Sequence, residues 1–519
     1  MKKLLTSIIG DYDSKIFYPF MAAIIIGVII SACFNQEVLS LLSAGSTFLL
    51  FNLGWFLQLL ALVLIIFSFV VIASRYGDIK LGTPEDKPEF GLFAWVSMMF
   101  CAAFGMTMWM WCAGETMYHL FGFDLLKNQG HAGTSRGIAT GMSFTFLDNT
   151  LHGWALFCLG GLAIGLPAYR KKIPMNLAAG LYGLMGDKCI SSRWGRVVDI
   201  VGAVASVGGV AGALGMGIAI MTSGLANVFG INAPAGKEAV VEIICLALLT
   251  VFFIFTAVLG IEKGMKRLSV INIYFSIAIM ILVFVLGPTT FIGTAVTHGL
   301  GEFINNFFSL SLWGDVGNFE DGQWVNRGHT NWWLAFYILW WISYIPFCGG
   351  FVARISKGRT LRQYFLCAVL CPSAMTVIFF GTWSSLSAYL QFTGAVDVWA
   401  HMGTDFGSTV YVVAGALPGG KFLMFLIFCS VIFYGVTTYD STTQFVAIQM
   451  AGGNVNTKAP LRVFVGLVIG AMGLLALSTK NLDILKGLPV VFGAPFVIVL
   501  IAYFISIIKM LGMCQRGEM

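Results

Sequence analysis

Six Trp and Tyr side chains crowd the run NWWLAFYILWWISY: Trp332, Trp333, Tyr337, Trp340, Trp341 and Tyr344. Tyr337, Trp341 and Tyr344 recur at i, i+4 and i+7, so a helix sets them on one face. Aromatic faces attract cations, and a cage of them holds a quaternary ammonium group. The other use of such residues is a belt at the membrane surface. Trp332 and Trp333 fit the belt, while Trp340 and Trp341 lie two helical turns deeper and fit a cage or close packing. Trp109, Trp111, Tyr118, Trp154 and Phe157 are candidate partners for the cage. Three acids stand inside apolar runs: Glu115, Asp148 and Asp440. Such acids cost several kcal/mol in a bilayer unless paired or hydrated. Each is a candidate coupling acid or a brace between helices. In YGVTTYDS, the hydroxyls of Thr437 and Thr438 could ligate a hard cation such as sodium, although membrane threonines also bond to their own backbone.

The elements that would position these residues follow from composition. The chain has 519 residues, 58% apolar and 10% charged, with a mean hydropathy of +0.87. Soluble domains carry about 25% charged residues, so a soluble enzyme and a disordered chain are both excluded. At about 20 apolar residues per crossing, twelve spans fit. They fall near 16–34, 48–73, 92–121, 144–169, 198–228, 239–260, 269–293, 331–353, 364–392, 421–449, 463–478 and 488–508. The first is full span length and interrupted upstream by Asp11, Asp13 and Lys15, so it reads as a retained helix and not a cleaved signal. With twelve spans both termini share a side. That side collects 23 of the 30 Lys and Arg residues, which places both termini in the cytoplasm of an inner (plasma) membrane protein. The net charge of +6 is therefore loop charge, and no nucleic-acid partner is implied.

Span 5 holds glycines at 202, 208, 209, 212, 215 and 217, and span 3 has Gly105 near its centre. Glycine permits either close helix packing or an unwound turn beside a ligand. Residues 294–330 form the longest external loop, with Phe303, Phe307 and Leu310 spaced for an interfacial helix. The eleven cysteines are scattered without a CxxC pair and read as small apolar packers. The six histidines show no HExxH spacing, so no cofactor or catalytic metal is expected. A channel would show a repeated pore motif or rings of charge.

The run WWLAFYILWW resembles the signature of the betaine/choline/carnitine transporter (BCCT) family. It matches at Trp333, Tyr337, Trp340 and Trp341, and departs at Trp332, Leu334 and Ile338. The following turn, with Arg354, Lys357, Arg359 and Thr360, also resembles the family, as do LHGWALF and VTTYDS. The resemblance implies an all-α integral membrane protein with twelve transmembrane helices. Its LeuT-like inverted repeat would comprise two five-helix units preceded by two extra helices. Residues 1–91 would hold the extra helices, 92–293 the first repeat, 294–330 the external helix and loop, 331–508 the second repeat, and 509–519 a short cytoplasmic tail. It further implies a homotrimer.

The same resemblance implies an onium cage at Trp341, with Trp340 and Tyr344 beside it and Trp154 and Phe157 across from it. A family tryptophan falls here on Asn149. A glycine triplet falls on Ala103, Gly105 and Thr107. One sodium site would use Thr437, Thr438 and a carbonyl at Phe104. A second would need hydroxyls at Ser206 and Val210, of which only the serine is present. The expected function is secondary transport of a small quaternary-ammonium or related methylated onium compound, coupled to sodium. Sodium-independent exchange and proton coupling are the alternatives. The short tail, without a basic extension, carries the expectation that uptake does not rise steeply with osmolality.

Overall fold

The computed structural model describes residues 2–33, 35–122, 132–314, 318–325 and 329–519. Among these, ten helices are long and apolar enough to cross a membrane, or eleven if one sharply bent pair counts as a single span. The difference from twelve has two sources. The crossing expected at 239–260 and most of that expected at 269–293 fall within one helical stretch, Glu238–Leu286, of 49 residues. The chain turns inside it at Gly260, where φ is +80° and ψ is 178°, before a π-helical turn at Ile261–Met265. The third expected span is broken into Leu92–Ala103 and Met108–Gly122, bent by 69°.

Burial separates centre from periphery. An 18-residue stretch of Trp332–Ile355 is wholly buried and one of Ser135–Arg170 is 94% buried, whereas Ser14–Ser31 is only 17% buried. The residues with candidate chemistry therefore lie on the central helices. Arg193–Phe229 runs unbroken through all its glycines, which settles their use in favour of close packing. A Cβ at Gly212 would meet the Leu485 carbonyl, and one at Gly208 the Phe492 ring. The external loop contains two helices, Thr289–Asn305 and Phe307–Ser311, and then a small hairpin, Asn318–Glu320 with Gln323–Val325. The rest of that loop's expected turns lie outside the described residues.

At the basic end of the bundle, the turn after Ala73 is tied to the turn after Ile355. Lys357 pairs with Asp86 at 3.1 Å and Arg354 with Glu89 at 2.8 Å. The Arg359 guanidinium lies 4.5 Å from the Trp95 ring centre.

Candidate functional site

The site begins at the break between Ala103 and Met108. Phe104 leaves helical geometry at φ −90° and ψ 98°. Gly105 there faces Thr438, whose Oγ1 would lie 3.5 Å from an added Cβ. The break also exposes carbonyls that have no helical partner. Thr438 Oγ1 donates to the Cys101 carbonyl at 3.0 Å. Thr437 Oγ1 reaches the Phe433, Tyr434 and Cys101 carbonyls at 2.9, 3.1 and 3.4 Å. The two hydroxyls and the end of the Leu92–Ala103 helix thus meet where a cation site was expected. The carbonyl they meet is that of Cys101, while the ring of Phe104 turns into a cavity. Ser206 bonds back to Gly202 at 2.8 Å, and Val210 is buried.

That cavity is partly open to solvent and spans about 390 Å³ of space between its walls. Its aromatic wall is Phe104, Trp111, Tyr337, Trp340, Trp341, Tyr344 and Phe380. Its remaining lining includes Thr107 and Asn149. Tyr337 and Trp340 stand near-parallel with centroids 6.3 Å apart, and Trp341 lies 6.4 Å from Phe104. Trp341 is fixed from behind: its Nε1 donates to the Asp148 carbonyl at 3.0 Å. The helix carrying Asp148 breaks at Thr150 (φ −118°, ψ −116°), which leaves carbonyls of its last turn available. Trp154 and Phe157 back the wall rather than line it. Trp154 stacks on Phe104 at 5.8 Å, and Phe157 meets the edge of Trp341 at 5.4 Å.

Two expected cage residues turn elsewhere. Trp109 packs against Phe379 and Trp383, and Tyr118 against Trp333, Trp399 and Phe406. The bend at 104–107 resets the helix phase, so Trp111 takes the facing position. Trp333 is not a belt residue. It is 1% exposed, and its Nε1 donates to Glu115 Oε1 at 2.6 Å. Tyr337 OH donates to Glu115 Oε2, also at 2.6 Å. The acids separate in space. Glu115 and Asp148 both approach His119 Nε2 at 3.3 Å, whereas Asp440 accepts from Gln444 at 2.6 Å on the Gly420–Met450 helix. His119 was passed over in the sequence because its spacing fits no metal motif. The signal that could have found it is its i, i+4 relation to Glu115. Phe380 carried no sequence signal.

A buried aromatic cavity at a helix break inside a multi-span bundle is the layout of a transporter binding site. The family model for the betaine/carnitine/choline family transporter matches residues 15–516. The chain belongs to that family. It is therefore a multi-pass membrane transporter and not an enzyme. It is 30% identical to a probable glycine betaine transporter of Desulfitobacterium hafniense (strain Y51), over 89% of this chain and 90% of that protein. It is 28% identical to the glycine betaine transporter OpuD of Bacillus subtilis (strain 168), over 97% and 95%. It is 30% identical to the osmo-independent choline transporter BetT1 of Acinetobacter baylyi (strain ATCC 33305 / BD413 / ADP1), over 88% and 85%.

Proposed function

We propose that this chain carries a small quaternary-ammonium or related methylated onium compound across the plasma membrane by alternating access, in symport with sodium. The observation that carries the substrate class is the buried cavity walled by Trp111, Tyr337, Trp340, Trp341 and Tyr344. Such a wall offers several ring faces to one cationic centre. Asn149 and Thr107 add polar contacts for a hydroxyl or carboxylate at the other end of the substrate. The names of the family and of its relatives support the same class.

Sodium coupling is supported by the meeting of Thr437, Thr438 and the Cys101 carbonyl at the break. Sodium-independent exchange is the second reading, favoured by one observation: both hydroxyls are already satisfied by backbone carbonyls. The 49 residues of Glu238–Leu286 exceed twice the length of one crossing. Counted as two spans around Gly260, with the bent pair as one, they bring the total to the twelve of an inverted repeat. Cytoplasmic termini rest on the distribution of Lys and Arg. The homotrimer rests on the family resemblance.

Uptake of labelled choline, carnitine and glycine betaine into proteoliposomes, in sodium against potassium, tests both parts. Saturable uptake of at least one compound supports the substrate class, and its loss in potassium supports symport. Equal uptake in both salts replaces symport with exchange. No uptake or binding of any onium compound overturns the reading.

A further inference from the structure

Beside the cage, on the Met108–Gly122 side of the break, lies a second buried centre. Glu115, His119 and Asp148 are each at most 1% exposed. Their ligating atoms lie within 4.8 Å of one another. His119 Nε2 stands 3.3 Å from Glu115 Oε1 and 3.3 Å from Asp148 Oδ2. Apart from that approach, Asp148 Oδ2 has no hydrogen-bond partner among the described residues. Glu115 differs: its two oxygens accept from Trp333 and Tyr337. Glu115 is thus engaged on both oxygens, which leaves His119 Nε2 and Asp148 Oδ2 as the open positions for a proton.

Two carboxylates this close cannot both stay ionised in a dry site unless a positive or proton-donating group lies between them. A proton on His119 Nε2 is that group. With it, spans 3 and 4 are drawn together through the imidazole, and span 8 joins through Trp333 and Tyr337. Without that proton the ring is neutral, and its charge no longer offsets the two carboxyl groups that face each other across it. Tyr337 connects this centre to the substrate, because its ring lines the cavity while its hydroxyl holds Glu115. Trp341 makes a second connection through the Asp148 carbonyl. The other titratable groups facing the centre are Tyr118, tilted against Trp333 with ring centroids 5.2 Å apart, and Lys486, 5.9 Å from the Trp333 ring and paired with Asp483 at 2.7 Å.

We infer that Glu115, His119 and Asp148 form a proton-operated gate over the onium cavity: the protonated cluster holds spans 3, 4 and 8 closed, and its deprotonation releases them. The proton is taken from and returned to water on the side of the cavity where these spans part. The inference rests on the transport reading above and adds a second coupling element to it. Proton and substrate then favour the same closed state, so each raises the affinity of the other by the same factor.

The test is the dissociation rate of choline from the purified full chain at fixed sodium, between about pH 8 and about pH 6, the range in which histidine titrates. Release should slow severalfold on acidification in the parent; one linked proton caps the change at about tenfold per pH unit. Asp148→Asn and His119→Gln should flatten the profile. A flat parent profile, faster release in acid, or an undiminished pH response in Asp148→Asn overturns the gate. So does a response that vanishes with a chelator and returns with zinc, which would make the centre a metal site. A readout without substrate separates this inference from the transport reading. The fluorescence difference between the parent and Trp333→Phe should titrate in the ligand-free protein and lose its step in Asp148→Asn. If choline does not bind but that step is present, the transport reading fails and the proton site stands. If the step is absent, the gate fails whatever binds.

Discussion

Gly153 offers the sharpest test of the cage. A methyl group there would lie 2.6 Å from Cδ2 and from Cε2 of Trp341, and 2.9 Å from its Nε1. Carbon pairs rest at about 3.5–4.0 Å, so the indole must recede by about 1 Å. Trp341 lines the cavity and Gly153 does not, so the ring moves into the space where the onium group would sit. It also strains the 3.0 Å bond to the Asp148 carbonyl. Overpacking of this kind costs about 1–3 kcal/mol of stability, and misplacing a desolvated cation–π partner costs about 1–2 kcal/mol of binding. Gly153→Ala should therefore weaken binding of choline, carnitine or glycine betaine by roughly tenfold, at 1.4 kcal/mol per factor of ten. Equilibrium binding to the purified protein measures this, with thermal unfolding as the folding control. Once Trp341→Ala has removed the ring, Gly153→Ala should be almost silent, because the two sites act through one contact. Parent-like affinity for all three compounds in Gly153→Ala refutes the reasoning. So does a full additional loss in the double variant.

Trp341→Ala alone should cost roughly tenfold in onium affinity, whereas Trp109→Ala, which empties a site against Phe379 and Trp383, should lower the thermal midpoint more than the affinity. Thr437→Ala combined with Thr438→Ala should abolish any sodium dependence of uptake while binding without sodium persists; unchanged sodium activation would remove the cation from this site. Trp333→Phe deletes one of two donors to the buried Glu115 carboxylate, and should cost about 1.5–3 kcal/mol of stability, the range for a hydrogen bond to a charged group; chemical denaturation reads it. The Thr83 backbone N–H and Lys357 hold the Asp86 carboxyl below its usual range. A lowered folded-state value means that its stabilising contribution is present above the unfolded value and is lost as pH falls through the folded one. Asp86→Asn should therefore flatten part of the stability loss below about pH 4, as read by thermal midpoints across pH.

Periodicity made the cage legible where the helix is regular. Tyr337, Trp341 and Tyr344 were placed together by spacing alone, and they line one cavity. It failed past a break. Trp109 and Trp111 are two residues apart, and only the bend at Phe104–Thr107 decides which of them faces inward. Trp333 looked like a surface residue because its partner, Glu115, lies 218 positions away in the chain. An acid and a tryptophan so distant in sequence announce no contact. The turn at Gly260 was legible, because Glu262, Lys263, Lys266 and Arg267 follow it, but the chain stays helical through it and joins two expected crossings into one stretch.

The polar anchors of the span-8 aromatics, Tyr337 and Trp341 in the wall and Trp333 beside it, share one property that bears on mechanism. Trp333 and Tyr337 are both held by Glu115, and Trp341 is held by the Asp148 carbonyl. In every case the ring sits on span 8 and its anchor on span 3 or span 4. The wall therefore keeps its shape only while these spans stay in register. A rocking motion that separates them must break the anchors and open the cage in the same step. A bond to a charged acceptor is worth about 1.5–3 kcal/mol, and reversing a two-state population from 1:99 to 99:1 takes about 5.5 kcal/mol. Two such bonds to Glu115 and one to a carbonyl are of the size needed to decide that balance. On the alternating-access reading proposed above, recognition and gating share these anchors, and Tyr337, with its ring in the cavity and its hydroxyl on Glu115, is where they meet.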